Sequence, residues 1–486
     1  MSRRADLKTG YDCNSNCVFC VIGDKLFTGN RSLAECIEEL TASRATCDDV
    51  VFTGAEVTIR GDFFQMVAAA RKLGYRNIQV QTNGRMFAYL DFCKKAIAAG
   101  ANEFSPSIHG HTAKLHDGLT RAPGSFAQIT AAIRNLRSLG QRVITNTVAT
   151  KQNMRHLPSL ARLLCELDVT QFQIAFPHPT GHAHTYFNGV VPAMRELGPY
   201  VAEAMAIGRA AGIACMVEAM PYCQLPGYEQ HVAELHIPPT EIVYDGFVIP
   251  DYKHDRMERS KTRFAGCAPC RYEPMCEGPW REYPAERGES EFVPVAGPRV
   301  IDTAIVLDDR FSMLGAAAPR LPDDAPTPWL ALVFFPAAGS GACTVEMRSL
   351  QAGAEALAAA GITVVGVSPD SVERQAAFAA ELGLGMRMIS DASLAWARMY
   401  GVVGGDHRYR RTTYLIGPER RIDHILVAPE VSHHAAQILT AQRRWLAPPR
   451  PLERGEELVV IRRRPEPAAA VAEVLNLSPD HEDFTD

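Results

Sequence analysis

Strand-like and helix-like stretches alternate over the first 220 of the chain's 486 residues. Each run of apolar and β-branched residues is followed by a stretch with helical periodicity. Six such units with nearly continuous apolar strands predict a parallel sheet, in a full or partial barrel or in a doubly wound arrangement. Functional residues should then gather at the carboxyl ends of the strands. The first predicted strand ends at Tyr11, and the other five cover residues 49–56, 77–84, 103–110, 142–150 and 171–179. The predicted helices cover residues 32–45, 61–73, 87–99, 124–139 and 153–166.

The composition is that of an ordinary globular protein, with 47% hydrophobic and 22% charged residues and a formal net charge of −5. This balance gives no reason to expect a nucleic acid or a membrane surface as the main partner. The length predicts two or three domains. The start carries no apolar signal core and no apolar run approaches about 18 residues, so we expect a cytoplasmic protein.

The 13 cysteines are distributed unevenly, and only Cys343 lies beyond residue 276. An odd, clustered set favours metal ligands in a reducing compartment over a disulfide framework. Five cysteines stand singly among apolar neighbours, and we expect them to be buried as small hydrophobic residues. These are Cys36, Cys47, Cys93, Cys165 and Cys215.

Three cysteines with the spacing Cys13-x3-Cys17-x2-Cys20 directly follow the first predicted strand. Three thiolates from one short loop can hold three irons of a cubane cluster and leave the fourth iron open to a small molecule. The alternatives are a structural zinc site and three unrelated thiols. Zinc sites usually close with four ligands, and no fourth ligand lies nearby in the sequence.

Polar residues also follow the later strands of this region. Because the carboxyl ends of parallel strands share one edge, these residues should converge with the cysteine loop. Histidines are frequent at the same strand ends, and we expect hydrogen-bonding or substrate contacts rather than a further metal from them. The strand-end residues are Gly54, Ala55 and Glu56, then Thr82, Asn83 and Gly84, then Ser105, Ser107 and His109, and finally Asn146.

The cysteine spacing, with Phe19 just before the last cysteine, resembles that of the radical S-adenosylmethionine (radical SAM) enzymes. The segment "GAEVT" at 54–58 is similar to that family's Gly-Gly-Glu-Pro segment, with alanine for the second glycine and valine for proline. The resemblance implies a [4Fe–4S] cluster that binds S-adenosylmethionine. It further implies cofactor contacts by Phe19, by the backbone of Gly54 and Ala55 and the carboxylate of Glu56 at the methionine amino group, and by Ser107 and Asn146 at the carboxylate and ribose.

The same resemblance implies a partial (β/α)6 TIM-like barrel over residues 1–220. One electron, from a donor of the flavodoxin or ferredoxin type, would cleave S-adenosylmethionine to methionine and a 5′-deoxyadenosyl radical. That radical would abstract hydrogen from an unknown peptide or small-molecule substrate. The cofactor supplies the reactivity, and the protein supplies orientation and excludes water.

A second cysteine group, Cys267-x2-Cys270-x5-Cys276, follows Cys223 within residues 221–294. Four thiolates could close either a zinc site or a second [4Fe–4S] cluster, and the spacing does not separate these. The arrangement resembles the auxiliary-cluster (SPASM or twitch) segment that follows many radical SAM cores. That resemblance implies a second [4Fe–4S] cluster, with Cys223 as its fourth ligand or with an open iron in its place.

A new β/α pattern occupies residues 295–450, and residues 451–486 have the composition of a flexible tail. Cys343 stands where a strand and a tight turn lead into a helix, and a helix amino terminus favours the thiolate. Pro336-x3-Ser340-x2-Cys343, with "RRTTYLIGP" further on, resembles the peroxiredoxin (thioredoxin-fold) family. The resemblance implies that Cys343 is the peroxidatic thiol, Ser340 binds peroxide, Pro336 shields the pocket and Arg411 stabilises the thiolate.

No cysteine follows Cys343. A sulfenic acid formed there would need an external thiol reductant or a cysteine of the first domain. The leading hypothesis is a radical SAM enzyme with an auxiliary cluster, fused to a peroxiredoxin-like antioxidant domain. The alternatives are a thiol peroxidase or redox sensor with a non-catalytic iron–sulfur domain, and a zinc-bearing interaction protein.

Overall fold

The computed structural model describes residues 3–244, 247–319, 328–403, 408–446 and 462–463. These residues form two compact units, of which the first holds residues 3–263, 277–291 and 462–463 and the second holds 264–276 and 292–446. The predicted boundaries at residues 220 and 294 remain predictions. The predicted tail, residues 451–486, lies outside the described residues except for 462–463.

The described residues contain fifteen β-strands, which belong to two sheets. They are β1 (Arg4–Lys8), β2 (Asp49–Thr53), β3 (Asn77–Thr82), β4 (Glu103–Pro106), β5 (Arg142–Val148), β6 (Gln171–Ala175), β7 (Ala214–Glu218), β8 (Thr240–Tyr244), β9 (Phe247–Ile249), β10 (Trp329–Phe334), β11 (Ile362–Ser368), β12 (Arg387–Ser390), β13 (Thr412–Ile416), β14 (Ile422–Val427) and β15 (Arg462–Arg463).

Seventeen α-helical segments accompany these strands in the described residues. They are α1 (Leu33–Ser43), α2 (Phe63–Lys72), α3 (Leu90–Ala99), α4 (Ala113–Thr120), α5 (Ser125–Ser138), α6 (Leu157–Glu166), α7 (Gly181–Thr185), α8 (Phe187–Val190), α9 (Met194–Ala210), α10 (Tyr252–Asp255), α11 (Glu282–Arg287), α12 (Thr303–Val306), α13 (Gly341–Ala352), α14 (Ala354–Ala359), α15 (Val372–Leu382), α16 (Ala395–Met399) and α17 (His434–Leu446). None of them is long and apolar enough to cross a membrane.

The sheet of the first unit has the strand order β15-β9-β8-β1-β2-β3-β4-β5-β6-β7. Strands β1 to β7 pair in parallel with their sequence neighbours, and β8 pairs in parallel with the other side of β1. Consecutive parallel strands with helical connections are the arrangement of a partial TIM-like barrel. The predicted partial barrel is therefore confirmed, and β7 and β8 extend it beyond the six predicted units.

The strands of the first unit end earlier than the sequence pattern predicts, because the chain turns where the polar residues begin. β2 ends at Thr53 instead of residue 56, and Gly54 has φ +130°. An added Cβ at Gly54 would lie 2.8 Å from the carbonyl oxygen of Gly10, so only glycine fits this close approach. The strand-end residues therefore lie in loops at the rim of the sheet.

The sheet of the second unit has the order β12-β11-β10-β13-β14. β10, β11 and β12 are mutually parallel, whereas β13 and β14 run antiparallel to their neighbours. Helices α13 and α17 share one apolar core with this sheet, which includes Val333, Met347 and Ile438. This arrangement confirms the predicted thioredoxin fold.

The cysteines of the described residues are all free thiols. Of the five single cysteines, Cys36, Cys47, Cys93 and Cys215 are buried. Cys165 is only half-buried, and that part of the prediction was wrong. The reason is its place near the end of α6, where one side of the helix reaches solvent.

Candidate metal centre and reactive cysteine

The cysteine loop between β1 and α1 is anchored on both sides by backbone hydrogen bonds. The N–H groups of Asn16 and Val18 donate to Thr120 and Leu119 of α4, each at 3.0 Å. On the other side the N–H of His182 in α7 donates to the carbonyl of Cys20 at 2.8 Å. The sequence pattern did not predict α4 or α7, yet these helices fix the path of the loop.

The electrostatics of the three thiols fit a cationic metal group. Burial, and next the nearby carboxylate of Glu56, raises the pKa of Cys13 to about 11. Burial also raises the pKa of Cys17, with further contributions from Cys13 and Cys20. Because charged thiolates here would be desolvated and would repel one another, three of them require a compensating cation.

Within the described residues, no three His, Cys, Asp or Glu side chains are grouped as the ligands of one metal ion would be. Sulfur ligands of one zinc ion lie about 2.3 Å from it, whereas a cubane distributes its thiolates over separate irons. Ligation of a [4Fe–4S] cluster by Cys13, Cys17 and Cys20 remains a prediction.

A cavity of about 690 Å³ opens beside the cysteine loop, within the size range of ligand pockets. It is lined by groups from the rims of several strands, and this convergence was predicted from the sequence. The lining includes Cys13, Cys17, Cys20, Phe19, Gly54, Ala55, Thr82, Asn83, Ser107, His109, His116, Val148, Ile242 and Tyr244.

Gly54 and Ala55 of the Gly54–Glu56 segment line this cavity. The Ala55 N–H donates to the carbonyl of Gly10 at 3.0 Å, which fixes the turn. The Glu56 carboxylate is buried and accepts hydrogen bonds from the Thr82 hydroxyl and the Asn83 N–H, both at 2.6 Å, and from Thr58. These bonds tie the segment after β2 to the end of β3. Contact of this carboxylate with the methionine amino group remains a prediction.

Ser107 and Asn146 lie next to each other at the ends of neighbouring strands. They form a parallel bridge, and the Ile108 N–H donates to the carbonyl of Asn146 at 3.0 Å. Ser107 lines the cavity, whereas Asn146 does not. The Asn146 side-chain oxygen is buried without a hydrogen-bond partner among the described residues, and its contact with a cofactor remains a prediction.

Phe19 and two histidines form one wall of the cavity. The Phe19 ring meets the His109 ring edge-on, with centroids 4.6 Å apart. Burial lowers the pKa of His109 and lowers that of His116 to about 4, so both imidazoles are neutral. Their Nδ1 atoms accept backbone N–H groups of Val148 and of His109 at 3.2 and 3.0 Å, which leaves Nε2–H as the donor of each ring.

The second cysteine group is divided between the two units. Cys267, Cys270 and Cys276 follow one another in a turn-rich segment of the second unit, where the Cys270 N–H donates to Cys267 O at 2.9 Å. Cys223 lies in a short 3-10 turn after β7 in the first unit, and Gln224 Nε2 donates to its sulfur at 3.6 Å. Ligation of one cluster by all four thiols remains a prediction.

In the second unit, Cys343 is the third residue of α13 and is fully buried. Arg411 Nη2 donates to its sulfur at 3.2 Å. Ser340 is the N-cap residue of α13, and the half-buried Pro336 lies in the turn after β10. Pro336 and Ser340 therefore lie between β10 and α13, Cys343 lies in α13, and Arg411 directly precedes β13.

A buried network behind Arg411 escaped the sequence analysis. Arg411 pairs with Glu346, and His434 Nδ1 of α17 lies 3.0 Å from Glu346 Oε1. The Thr413 hydroxyl lies 2.9 Å from His434 Nε2. Burial, and next the charge of Arg411, lowers the pKa of His434 to about 3, so the ring is neutral. The position of Glu346, three residues after Cys343 on the same helix, is the only sequence signal for this network.

Two family models match the chain. The radical SAM superfamily matches residues 7–164, and the AhpC/TSA family matches residues 320–425. The chain therefore carries a radical SAM domain fused to a peroxiredoxin-type AhpC/TSA domain, as the sequence predicted.

Curated relatives match part of the chain. The AdoMet-dependent heme synthase of Methanosarcina barkeri is 29% identical over 179 residues, which are 35% of this chain and 49% of that protein. A probable GTP 3′,8-cyclase of Saccharolobus islandicus is 25% identical over 194 residues, 39% of this chain and 61% of that protein. The chain thus spans about half the length of these relatives.

Solved structures resemble the two parts separately. Xanthomonas campestris bacterioferritin comigratory protein is 27% identical, covers 24% of this chain and 77% of its own, and has a TM-score of 0.23. Streptococcus suis SuiB bound to precursor peptide SuiA is 14% identical, covers 54% of this chain and 61% of its own, and has a TM-score of 0.41. With TM-scores this low, the assignment of the two domains rests on the family models.

Proposed function

We propose that the first unit is an enzyme that reductively cleaves S-adenosylmethionine and uses the products to abstract hydrogen from a substrate. The observation that carries this proposal is that three thiols of one loop line the same 690 Å³ cavity as the Gly54 and Ala55 backbone. When bound, the [4Fe–4S] cluster and S-adenosylmethionine supply one-electron cleavage and a 5′-deoxyadenosyl radical. The protein provides the ligands, orients the cofactor and keeps water out.

Each part of the cavity has a distinct task in this proposal. Cys13, Cys17 and Cys20 hold three irons and leave the fourth for the cofactor. Carbonyl groups of Gly54 and Ala55 accept the methionine amino group. Phe19, Ser107 and the Asn146 acceptor support the rest of the cofactor. The Glu56 carboxylate is also assigned to the methionine amino group, and its hydrogen bonds with Thr58, Thr82 and Asn83 hold it in place.

The substrate in this proposal is a peptide or a small metabolite, and the electron comes from a flavodoxin- or ferredoxin-type donor in a reducing cytoplasm. The relatives named for heme synthesis and GTP cyclisation act on small molecules, and SuiB binds a precursor peptide. We further propose that Cys267, Cys270, Cys276 and Cys223 hold an auxiliary [4Fe–4S] cluster. Such a cluster would relay electrons or anchor the substrate.

Anaerobic reconstitution tests these assignments. The unaltered chain should bind about eight irons and form 5′-deoxyadenosine with dithionite. The triple variant Cys13→Ala, Cys17→Ala, Cys20→Ala should keep about four irons and form none. Cys165→Ala, a half-buried cysteine on α6, is the control and should behave like the unaltered chain. A colourless protein that binds zinc, or an iron protein without cleavage, would overturn the proposal.

We propose that the second unit reduces peroxides at Cys343. The supporting observation is the Arg411 guanidinium, 3.2 Å from a buried thiol at a helix amino terminus. The thiolate attacks one peroxide oxygen, the O–O bond breaks, and the alkoxide or hydroxide leaves with a proton. The resulting sulfenic acid condenses with an external thiol and releases water, and a second thiol equivalent restores Cys343.

Peroxide consumption with dithiothreitol as the thiol tests this second proposal. Cys343→Ser should abolish it, and Arg411→Met should slow it about tenfold or more, as loss of one charged donor to a reacting centre does. Arg410→Met changes the exposed neighbour and should leave the rate unchanged. If Cys343 is oxidised only once without turnover, the domain is a redox sensor.

A further inference from the structure

A ring of contacts surrounds the thiol of the second unit and joins three of its elements. The members come from α13, from β13 and the residue before it, and from α17; they are Cys343, Glu346, Arg411, Thr413 and His434. Four of these side chains are fully buried, and that of Arg411 is 14% exposed. Because a buried polar group is stable only beside a suitable partner, each member of the ring constrains the next.

Local periodicity places the members in pairs that face the same way. Cys343 and Glu346 are three residues apart on α13, which puts both on one side of the helix. Arg411 and Thr413 are two residues apart at the start of β13, so their side chains lie on one face of the sheet. The carbonyl of Arg411 accepts the N–H of Ala428 at 3.1 Å. The backbone of Arg411 is therefore fixed, and only its side chain remains free to move.

The start of α17 packs tightly against α13. An added Cβ at Gly353 would overlap the Ala435 Cβ, so the end of α13 leaves room for α17 because residue 353 is glycine. Ala435 and Ile438 of α17 belong to the same apolar core as Met347 of α13. This packing holds His434, which directly precedes Ala435, against α13.

The His434 ring bridges Glu346 and Thr413. Its Nδ1 lies 3.0 Å from Glu346 Oε1, and its Nε2 lies 2.9 Å from the Thr413 hydroxyl. Because a carboxylate only accepts hydrogen bonds, the single proton of the neutral ring belongs on Nδ1, and Nε2 then accepts the hydroxyl proton. The second Glu346 oxygen pairs with Arg411 Nη1, while Arg411 Nη2 donates to the Cys343 sulfur at 3.2 Å.

The place of the Arg411 guanidinium therefore depends on an ionised carboxylate in the core. Without the ring of His434, Glu346 Oε1 would lose the polar group that faces it and would lie against apolar side chains. A carboxylate in that position becomes protonated or rotates away, and either change releases the guanidinium. The charged groups that act on the ring are Glu346 and Arg411, whereas the adjacent His433 is exposed and pairs with Glu430.

We propose that His434 is a positioning residue for the reaction of Cys343, because it holds the Glu346 carboxylate against Arg411 and so keeps the guanidinium at the sulfur. The proposal rests on the proposed peroxide reduction by the second unit. Since His434 acts through Arg411, its removal should slow the thiol no more than removal of Arg411 does.

Alkylation of Cys343 by iodoacetamide, followed by mass spectrometry of its peptide, measures thiolate reactivity without peroxide turnover. His434→Leu is similar in size but has no polar side-chain atom. It should slow alkylation at pH 7 about three- to tenfold and move the midpoint of the pH profile upwards. His434→Asn keeps an N–H donor near the position of Nδ1 and should restore most of the rate. A merely structural role predicts faster alkylation, because a loosened fold exposes a buried thiol.

A double variant tests whether the effect passes through Arg411. In an Arg411→Met background, His434→Leu should change the alkylation rate by less than about twofold, because the guanidinium that it positions is absent. Ile438→Val is the matched control, since Ile438 lies one turn further along α17 in the same apolar core. It should leave the rate and the pH profile of Cys343 unchanged.

Thr413→Val removes the hydroxyl that orients the ring and should slow alkylation about two- to threefold. This variant decides the question if His434→Leu does not fold. An unchanged rate in Thr413→Val and His434→Leu, or equal slowing by His434→Leu with and without Arg411, would overturn the positioning role. If the unaltered chain consumes no peroxide, the proposed function fails, whereas the alkylation rates still decide the role of His434.

Discussion

At the scale of single residues, the two sites differ in what surrounds their thiols. Cys13 and Cys17 are half-buried beside other thiols and the Glu56 carboxylate, and their thiol pKa values are raised. Cys343 is fully buried, and Arg411 donates directly to its sulfur. Thiolates at Cys13 and Cys17 are therefore disfavoured without a bound cation, whereas the Cys343 sulfur has a guanidinium in hydrogen-bond contact.

His434 gives a pH prediction at this scale. Its pKa is about 3 in the folded protein, whereas an imidazole in the unfolded chain titrates near 6.5. Between these values the unfolded chain binds the extra proton, so the free energy of unfolding falls as the pH drops from about 6.5 towards 3. His434→Gln removes this dependence. The variant should be less stable at pH 7 by about 1–3 kcal/mol, because the Glu346 and Thr413 contacts are altered.

Calorimetric unfolding of both proteins at pH 7 and pH 5 measures this effect. The difference in free energy of unfolding between the unaltered protein and His434→Gln should be smaller at pH 5 than at pH 7. The reason is that only the unaltered protein loses the contribution of a neutral His434. Other titrating groups, such as His116, are common to both proteins and cancel. His433→Gln changes an adjacent residue whose side chain is 68% exposed, and it should change the free energy of unfolding only slightly. A gap that stays constant for His434→Gln would contradict the assignment.

At the scale of elements, the strand and helix pattern was readable because periodicity and end signals agreed. Ser32 begins α1 with a capping box to Glu35, and Gly100, with φ +128°, ends α3. Among the helices that escaped prediction, α4 has eight residues and α7 has five, whereas α9 has seventeen. The two short helices contact the cysteine loop through backbone hydrogen bonds, and such contacts leave no periodic signal in the sequence.

The element scale also shows which part of the Gly-Ala-Glu motif can be read from the sequence. Its place after β2 and the need for glycine at residue 54 follow from chain geometry. The direction of the Glu56 side chain depends on Thr82 and Asn83, which come from the end of the next strand. Hydrogen-bond partners from another strand cannot be assigned from local sequence.

At the scale of the whole molecule, two folds carry two separate reactive centres. The radical SAM match ends at residue 164 and the AhpC/TSA match begins at residue 320, so each centre has its own supporting sheet. We therefore expect the two activities to be independent. The triple cysteine variant should keep peroxide consumption, and Cys343→Ser should keep dithionite-driven formation of 5′-deoxyadenosine.

Both assays on both variants check this expectation, and simultaneous loss of the two activities in either variant would contradict it. Circular dichroism of each variant serves as the control for folding, because a general loss of structure would also remove both activities. If only Cys343→Ser lowered cleavage, and only in air, the second unit would be protecting the cluster from peroxide.

By itself, the sequence determined the chemistry that this chain can carry: three closely spaced thiols in a loop after a strand, and one thiol at a helix amino terminus. Thiol spacing and strand–helix order are local properties, so they are visible in the chain. Only the tertiary structure brought Arg411 to Cys343, placed Glu346 and His434 behind it, and paired Glu56 with Thr82. These contacts join residues far apart in sequence, and they depend on burial and on hydrogen-bond partners that form only when the sheets assemble.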